Sequence, residues 1–123
     1  MAPAAAAWVA VAALNAAMAV AFGAYASHGL AGQASDWART ASQYQMWHAL
    51  ALLPIASGWI AGRAAAAARW AFLAGIALFC GSLYALALGA PRGTAALAPL
   101  GGLTMILGWL LVAAGALVGA GRR

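Results

Sequence analysis

The chain has 123 residues, 67% of them hydrophobic and 6% charged, whereas soluble domains carry roughly a quarter charged residues. That balance excludes a water-soluble globular domain and points to a single integral membrane domain. The basic residues are all arginines, set singly or as the terminal pair Arg122-Arg123 against the lone acid Asp36; with no basic stripe, nucleic acid is set aside.

The first apolar span covers about residues 5–26 and contains Trp8, Asn15, Met18 and Phe22. Ala24-Tyr25-Ala26 matches a small-x-small cleavage pattern, but no basic residue precedes the apolar run, so a retained span is expected rather than a signal peptide. Asn15 sits mid-span and needs a partner in hydrocarbon, most simply on a neighbouring helix. A loop over about residues 27–42 follows, with Ser35 or Asp36 as the expected helix N-cap. From there the chain reads as a helix that protrudes from the bilayer and then enters the second span, about residues 43–61. Tyr44 and His48 are four residues apart, hence stacked on one face of that helix. Pro54 is expected to kink it.

Gly62-Arg63 through Arg69 reads as a short alanine-rich turn, and the third span covers about residues 70–88 with Cys80, Gly81, Ser82 and Tyr84. A lone cysteine excludes an internal disulfide and a cysteine-cluster metal site. Gly89-Ala90-Pro91-Arg92-Gly93 is a break, and the fourth span runs over about residues 99–120 from Pro99-Leu100-Gly101-Gly102. Gly81, Gly101, Gly102 and the Gly115/Gly119 pair are the expected close-packing positions between membrane helices. Four spans put both termini on one side, with Arg63, Arg69, Arg122 and Arg123; Arg39 and Arg92 fall on the other, beside Asp36. The arginine excess assigns the termini to the cytoplasm.

This topology gathers His28, Tyr44, His48, Ser82 and Tyr84 into one layer near the outer membrane face. One reading makes the layer glue between helices. The other makes it a small pocket, because intramembrane ionisable residues are candidates for function. Two histidines could hold haem or a metal through His28 and His48, but no carboxylate lies near them and no cofactor is expected. No acid lies in a span to couple proton transport, no lysine is present for a Schiff base, and Ser82 with His48 is a bare pair without an oxyanion-hole motif. No catalytic constellation is read.

Several segments together carry a family resemblance: Gly23-Ala24-Tyr25-Ala26-Ser27-His28-Gly29-Leu30, Tyr44-Gln45-Met46-Trp47-His48-Ala49-Leu50, Phe79-Cys80-Gly81-Ser82-Leu83-Tyr84-Ala85-Leu86, and Pro99-Leu100-Gly101-Gly102 with Gly108-Trp109. Over nearly its whole length the chain resembles domain of unknown function family 423, which includes transmembrane-protein-256-like proteins. The resemblance implies four membrane helices and supplies no activity. Cys80 stands where a serine is expected and Ala98 where a threonine is common, which weakens any chemistry assigned to those hydroxyls.

The expectation is therefore an all-α, antiparallel four-helix bundle in a bacterial cytoplasmic (inner) membrane. Its expected role is structural or accessory, packing in the lipid bilayer against other membrane proteins or as a homo-oligomer. The alternative is binding or transport of a small apolar or cofactor-like ligand (haem, metal or lipid-like) in the polar layer.

Overall fold

The computed structural model describes residues 1–121; Arg122 and Arg123, half of the expected cytoplasmic arginine cluster, lie outside the described residues. Four helices account for nearly all of it: α1, Pro3–His28; α2, Gly32–Ala56; α3, Arg63–Ala87; and α4, Leu97–Gly121, preceded by a 3₁₀ turn, Arg92–Ala96. Alanine, the strongest helix former, dominates α1, and Pro3 occupies its first turn, where a missing N–H costs nothing. Three of the helices, α1, α3 and the 3₁₀–α4 unit, are long and apolar enough to cross a membrane.

Both ends of the second helix differ from the sequence reading. Helix α2 starts at Gly32, a few residues before the expected N-cap at Ser35 or Asp36, and is as long as its neighbours. Its N-cap is Ala31, with no side-chain cap; Ser35 is buried instead and donates to the Ala26 carbonyl at 2.7 Å. Pro54 lies in the last turn of α2, so it ends the helix rather than bending its middle. The chain turns over residues 57–62, using positive φ at Gly58 and Gly62, a conformation that favours glycine. The alanine run expected as a turn is the start of α3: unbroken alanine favours helix, and the turn residues are the glycines before it.

Helices α1 and α2 meet along a seven-residue repeat. Ala12, Ala19 and Ala26 are no more than 1% exposed, and Ala38, Ala41 and Ala49 of α2 are equally buried. Small side chains at this spacing let the backbones approach closely. Ser42 donates to the Ala19 carbonyl at 2.7 Å, and a Cβ on Gly23 would sit 2.8 Å from that hydroxyl oxygen. Partners advance along α1 as they retreat along α2: Ala26 with Ser35, Ala19 with Ser42, Asn15 with Gln45. The two helices therefore share one length.

The α3–α4 contact uses the same repeat with glycine. Gly101, Gly108 and Gly115 stand seven apart and face Phe79, Phe72 and Ala64. A Cβ on Gly101 would collide with the Phe79 backbone; on Gly108 it would lie 2.6 Å from the Phe72 ring, and on Gly115 2.9 Å from Ala64 Cβ. Gly75 of α3 completes the seam against Met105. Phe79 belongs to a π-helical turn, Ile76–Cys80, within α3. Such a turn is a single-residue bulge in the α-helical ladder, and here it lies where the two backbones are closest. Of the glycines expected to pack, Gly81 and Gly119 face open space and Gly102 reaches only Phe79 at 4.0 Å. They lie off the rows along which α3 and α4 meet.

Helix α2 also packs on α3, whereas among the described residues the backbones of α1 and α4 nowhere come within 8 Å of each other. The outer faces of α1 and α4 carry exposed Leu14, Val20, Leu103, Leu107, Leu110 and Leu117, as surfaces bathed in lipid do.

Candidate functional site: a polar seam at the middle of the helices

Helix α2 turns Ser35, Gln45 and His48 inward, spaced with Ala38, Ala41, Leu52 and Ile55 along one buried stripe. In water such polar side chains would face solvent; here each meets a partner within the protein.

Gln45, 1% exposed, is the centre. Asn15 Nδ2 donates to the Val11 carbonyl of its own helix at 2.9 Å, which turns its Oδ1 toward α2. Gln45 Nε2 donates to that Oδ1 at 3.0 Å, with Met18 Sδ at 3.2 Å beside it. Gln45 Oε1 then accepts the Tyr84 hydroxyl at 2.7 Å. The result is a directional chain through α1, α2 and α3. The Tyr84 ring also stacks on Phe22 of α1, with centroids 4.0 Å apart.

One turn along α2, His48 makes a second link. Its Nδ1 lies 2.7 Å from the Tyr44 carbonyl, and its Nε2 lies 3.0 Å from Trp109 Nε1 of α4. A carbonyl only accepts and an indole N–H only donates, so the imidazole is the neutral tautomer with the proton on Nδ1. Phe72 meets the same ring edge-on, with centroids 5.3 Å apart. Both nitrogens are thus engaged within the protein.

The predicted site residues separate. His48 and Tyr44 share a helix face, and Tyr84 joins the adjacent chain through Gln45. Ser82 is buried but donates to the Phe79 carbonyl of its own helix at 2.9 Å, closing its turn rather than joining helices. His28 is exposed in the last turn of α1, level with the start of α2. That is about four turns from His48, or ~22 Å along the axis, so the two imidazoles do not form one ligand set. Among the described residues no three His, Cys, Asp or Glu side chains gather as metal ligands. The depth also changes. Asn15, Gln45 and Trp109 fall near the midpoints of their helices and His48 about one turn past that of α2, because α2 begins well before its apolar half, whereas Ser82 and Tyr84 stay near the end of α3, as the sequence places them.

Between α2 and α4, over Phe79, lies a cleft of about 470 Å³. Tyr44, Trp47, His48, Met105, Ile106 and Trp109 line it.

The fold and its inward polar seam define a polytopic helical membrane protein. The family described as protein of unknown function (DUF423) matches residues 22–102, and the chain belongs to that family. A UPF0382 membrane protein of Staphylococcus epidermidis is 44% identical over 117 residues, covering 89% of this chain and 93% of the relative. The UPF0382 membrane protein YwdK of Bacillus subtilis is 38% identical over 110 residues, covering 81% and 87%. A UPF0382 membrane protein of Haemophilus influenzae is 40% identical over 101 residues, covering 78% and 82%. No solved structure matches. The matched segment contains Gln45, His48 and Tyr84, and it omits Asn15 and Trp109.

Proposed function

We propose that the protein is a structural or accessory component of the bacterial cytoplasmic membrane, packing against copies of itself or a larger membrane complex. In this reading all four helices cross the bilayer as an antiparallel bundle with both termini in the cytoplasm. Helix α2 spans although its first half is polar. Ser35, Ser42 and Gln45 are bonded to α1, with which α2 is coextensive, and its charges, Asp36 and Arg39, lie within two turns of one end. At 25 residues it is ~37 Å long, against a hydrocarbon core of ~30 Å. The sidedness rests on Arg63, Arg69 and the sequence pair Arg122-Arg123, set against Arg39 and Arg92 beside Asp36.

One observation carries the structural role: the central polar groups are consumed by one another. Asn15, Gln45 and Tyr84 form one interhelical chain, and His48 with Trp109 forms another link. This leaves them no free base, acid or nucleophile. What remains for interaction is the apolar exterior of α1 and α4. Chemical crosslinking in native membranes followed by mass spectrometry tests this. Reproducible crosslinks to a second copy or to one larger complex support it; a protein that remains solitary at native abundance contradicts it.

The cleft beside Tyr44 and Trp109 favours a second reading, a bound apolar ligand. Haem or metal at His48 requires Nε2 to release Trp109, so the form that fits this lining is a lipid-like molecule held by the aromatic walls. An absorbance spectrum with metal analysis and organic extraction of the purified protein distinguishes these. A stoichiometric extracted molecule moves the conclusion to this second reading.

A further inference from the structure

Among the described residues Arg69 is a charge without a counter-ion. It lies six residues into α3, about 9 Å from the helix start at 1.5 Å per residue. With ~37 Å helices in a ~30 Å core, about 4 Å of each end protrudes, so Arg69 sits roughly 5 Å inside the hydrocarbon boundary. Arginine does not shed its proton there. The chain has one acidic side chain, Asp36, which lies in the first turns of α2 at the opposite end of the bundle. Trp8 of α1 covers one face of the guanidinium, with Cζ 4.6 Å from its ring centroid, and Trp8 is in turn braced edge-on by Trp70 at 4.9 Å. Arg69 Nε is buried with no hydrogen-bond partner among the described residues. Arg69 also borders a cavity of about 180 Å³ beneath the 57–62 turn, lined by Ile55, Gly58, Ile60 and Ala65 among others.

We infer that Arg69 is a phosphate-binding site whose ligand is the phosphodiester headgroup of a phospholipid in the leaflet that receives Arg63 and the α1 N-terminus. The Trp8 face fixes the guanidinium plane, and with Nε buried the fork left for a ligand is the terminal Nη pair. A planar fork of N–H groups matches two phosphate oxygens. The depth suits a headgroup drawn slightly inward at a helix end, since a charged group so placed reaches toward the interface rather than toward the bilayer centre. The cavity under the turn receives the headgroup, and the first turn of α3, with no side-chain cap on its N–H groups, adds a positive dipole end on the same side. This inference rests on the transmembrane placement proposed above but not on the structural role.

The test uses purified full-length protein. Native mass spectrometry counts retained phosphatidylglycerol against phosphatidylcholine for the wild type, Arg69→Gln and Arg92→Gln, the last at the opposite end. The inference predicts one tightly retained phosphatidylglycerol in the wild type and Arg92→Gln, and its loss in Arg69→Gln. Equal retention in all three overturns it. A parallel thermal melt with inorganic phosphate separates the sources: stabilisation by phosphatidylglycerol alone supports a lipid ligand, and equal stabilisation by free phosphate overturns that part. If Arg69→Gln does not fold, solid-state NMR of the wild type in phosphatidylglycerol bilayers decides. Dephasing of the Arg69 guanidinium nitrogen by lipid phosphorus supports the site; its absence overturns it. Failed membrane insertion, read by protease or cysteine mapping, identifies a failure of the transmembrane reading separately.

Discussion

Tyr84 donates its hydroxyl hydrogen to Oε1 of Gln45 at 2.7 Å, and this one bond fixes which way the buried amide points. Because Asn15 turns its NH2 group to the Val11 carbonyl, it faces Gln45 with its oxygen. Gln45 must therefore present nitrogen to α1 and oxygen to α3. With α2 spanning as proposed, the three helices cannot exchange these partners for water, so the chain specifies which helices are neighbours and at what register.

Replacing Gln45 with leucine strands both the Asn15 oxygen and the Tyr84 hydroxyl. The expected loss is about 1–3 kcal/mol, the cost of leaving such groups unsatisfied. Tyr84→Phe removes one donor and keeps the stack on Phe22, so it costs less. A double-mutant cycle in reversible unfolding within bilayers or mild detergent should give a coupling of roughly 0.6 kcal/mol, at most about 1.7. Strictly additive single effects contradict the bond's role.

Trp109→Phe keeps an aromatic ring against Phe72, 4.9 Å away, while removing the donor to His48. It is expected to cost about 0.5–1.5 kcal/mol. His48→Phe should then cost less in the Trp109→Phe background than in the wild type. Nitrogen-15 NMR of the labelled histidine checks the tautomer directly: the account requires a protonated Nδ1 and an unprotonated Nε2. A ring protonated at Nε2 alone is incompatible with the Trp109 bond.

The membrane class is legible at once in the sequence, since charge is nearly absent and long apolar runs recur. Asn15 is legible as a residue in need of a partner on another helix, because hydrocarbon offers none. The part of α2 before residue 43 is legible as helix but not as part of a span, because a hydropathy reading scores Ser35 and Ser42 as exposed polar residues. Only tertiary structure shows that both bond to α1 and that Gln45 and His48 therefore lie in the second half of a longer helix. Gln45 itself is inconspicuous beside Tyr44 and His48, since a neutral amide signals no chemistry until its partners are known. The Ala12, Ala19, Ala26 repeat is present in the sequence but hidden among other alanines. Gly101 is visible through Pro-Leu-Gly-Gly, whereas Gly108 stands out only as part of Gly-Trp. Its partner, the Phe72 ring, comes from a different helix far back along the chain.

The glycine row makes a graded prediction. Gly101→Ala and Gly108→Ala place a Cβ into the Phe79 backbone and the Phe72 ring, and each should cost about 1–3 kcal/mol through overpacking. Gly101→Ala should be the worse of the two, since backbone cannot rotate aside as a ring can. Gly81→Ala and Gly119→Ala enter open space and should leave the thermal midpoint of the monomer nearly unchanged. A uniform response across the four positions contradicts the α3–α4 seam.

Cysteine accessibility along α2 measures directly whether Gln45 and His48 lie deep in the bilayer within a fully spanning helix. In a Cys80→Ala background, single cysteines replace Gln33, Gln43 and Ser57, all exposed on the protein surface, and membrane-impermeant maleimide is added to each side of sealed vesicles. Gln43 is the sharpest probe, because it is polar, outward-facing and next to the middle of α2. A spanning α2 is expected to label at Gln33→Cys from one side, at Ser57→Cys from the other, and at Gln43→Cys from neither. Ready labelling of Gln43→Cys from the side that labels Gln33→Cys would put the first half of α2 in water and contradict the account.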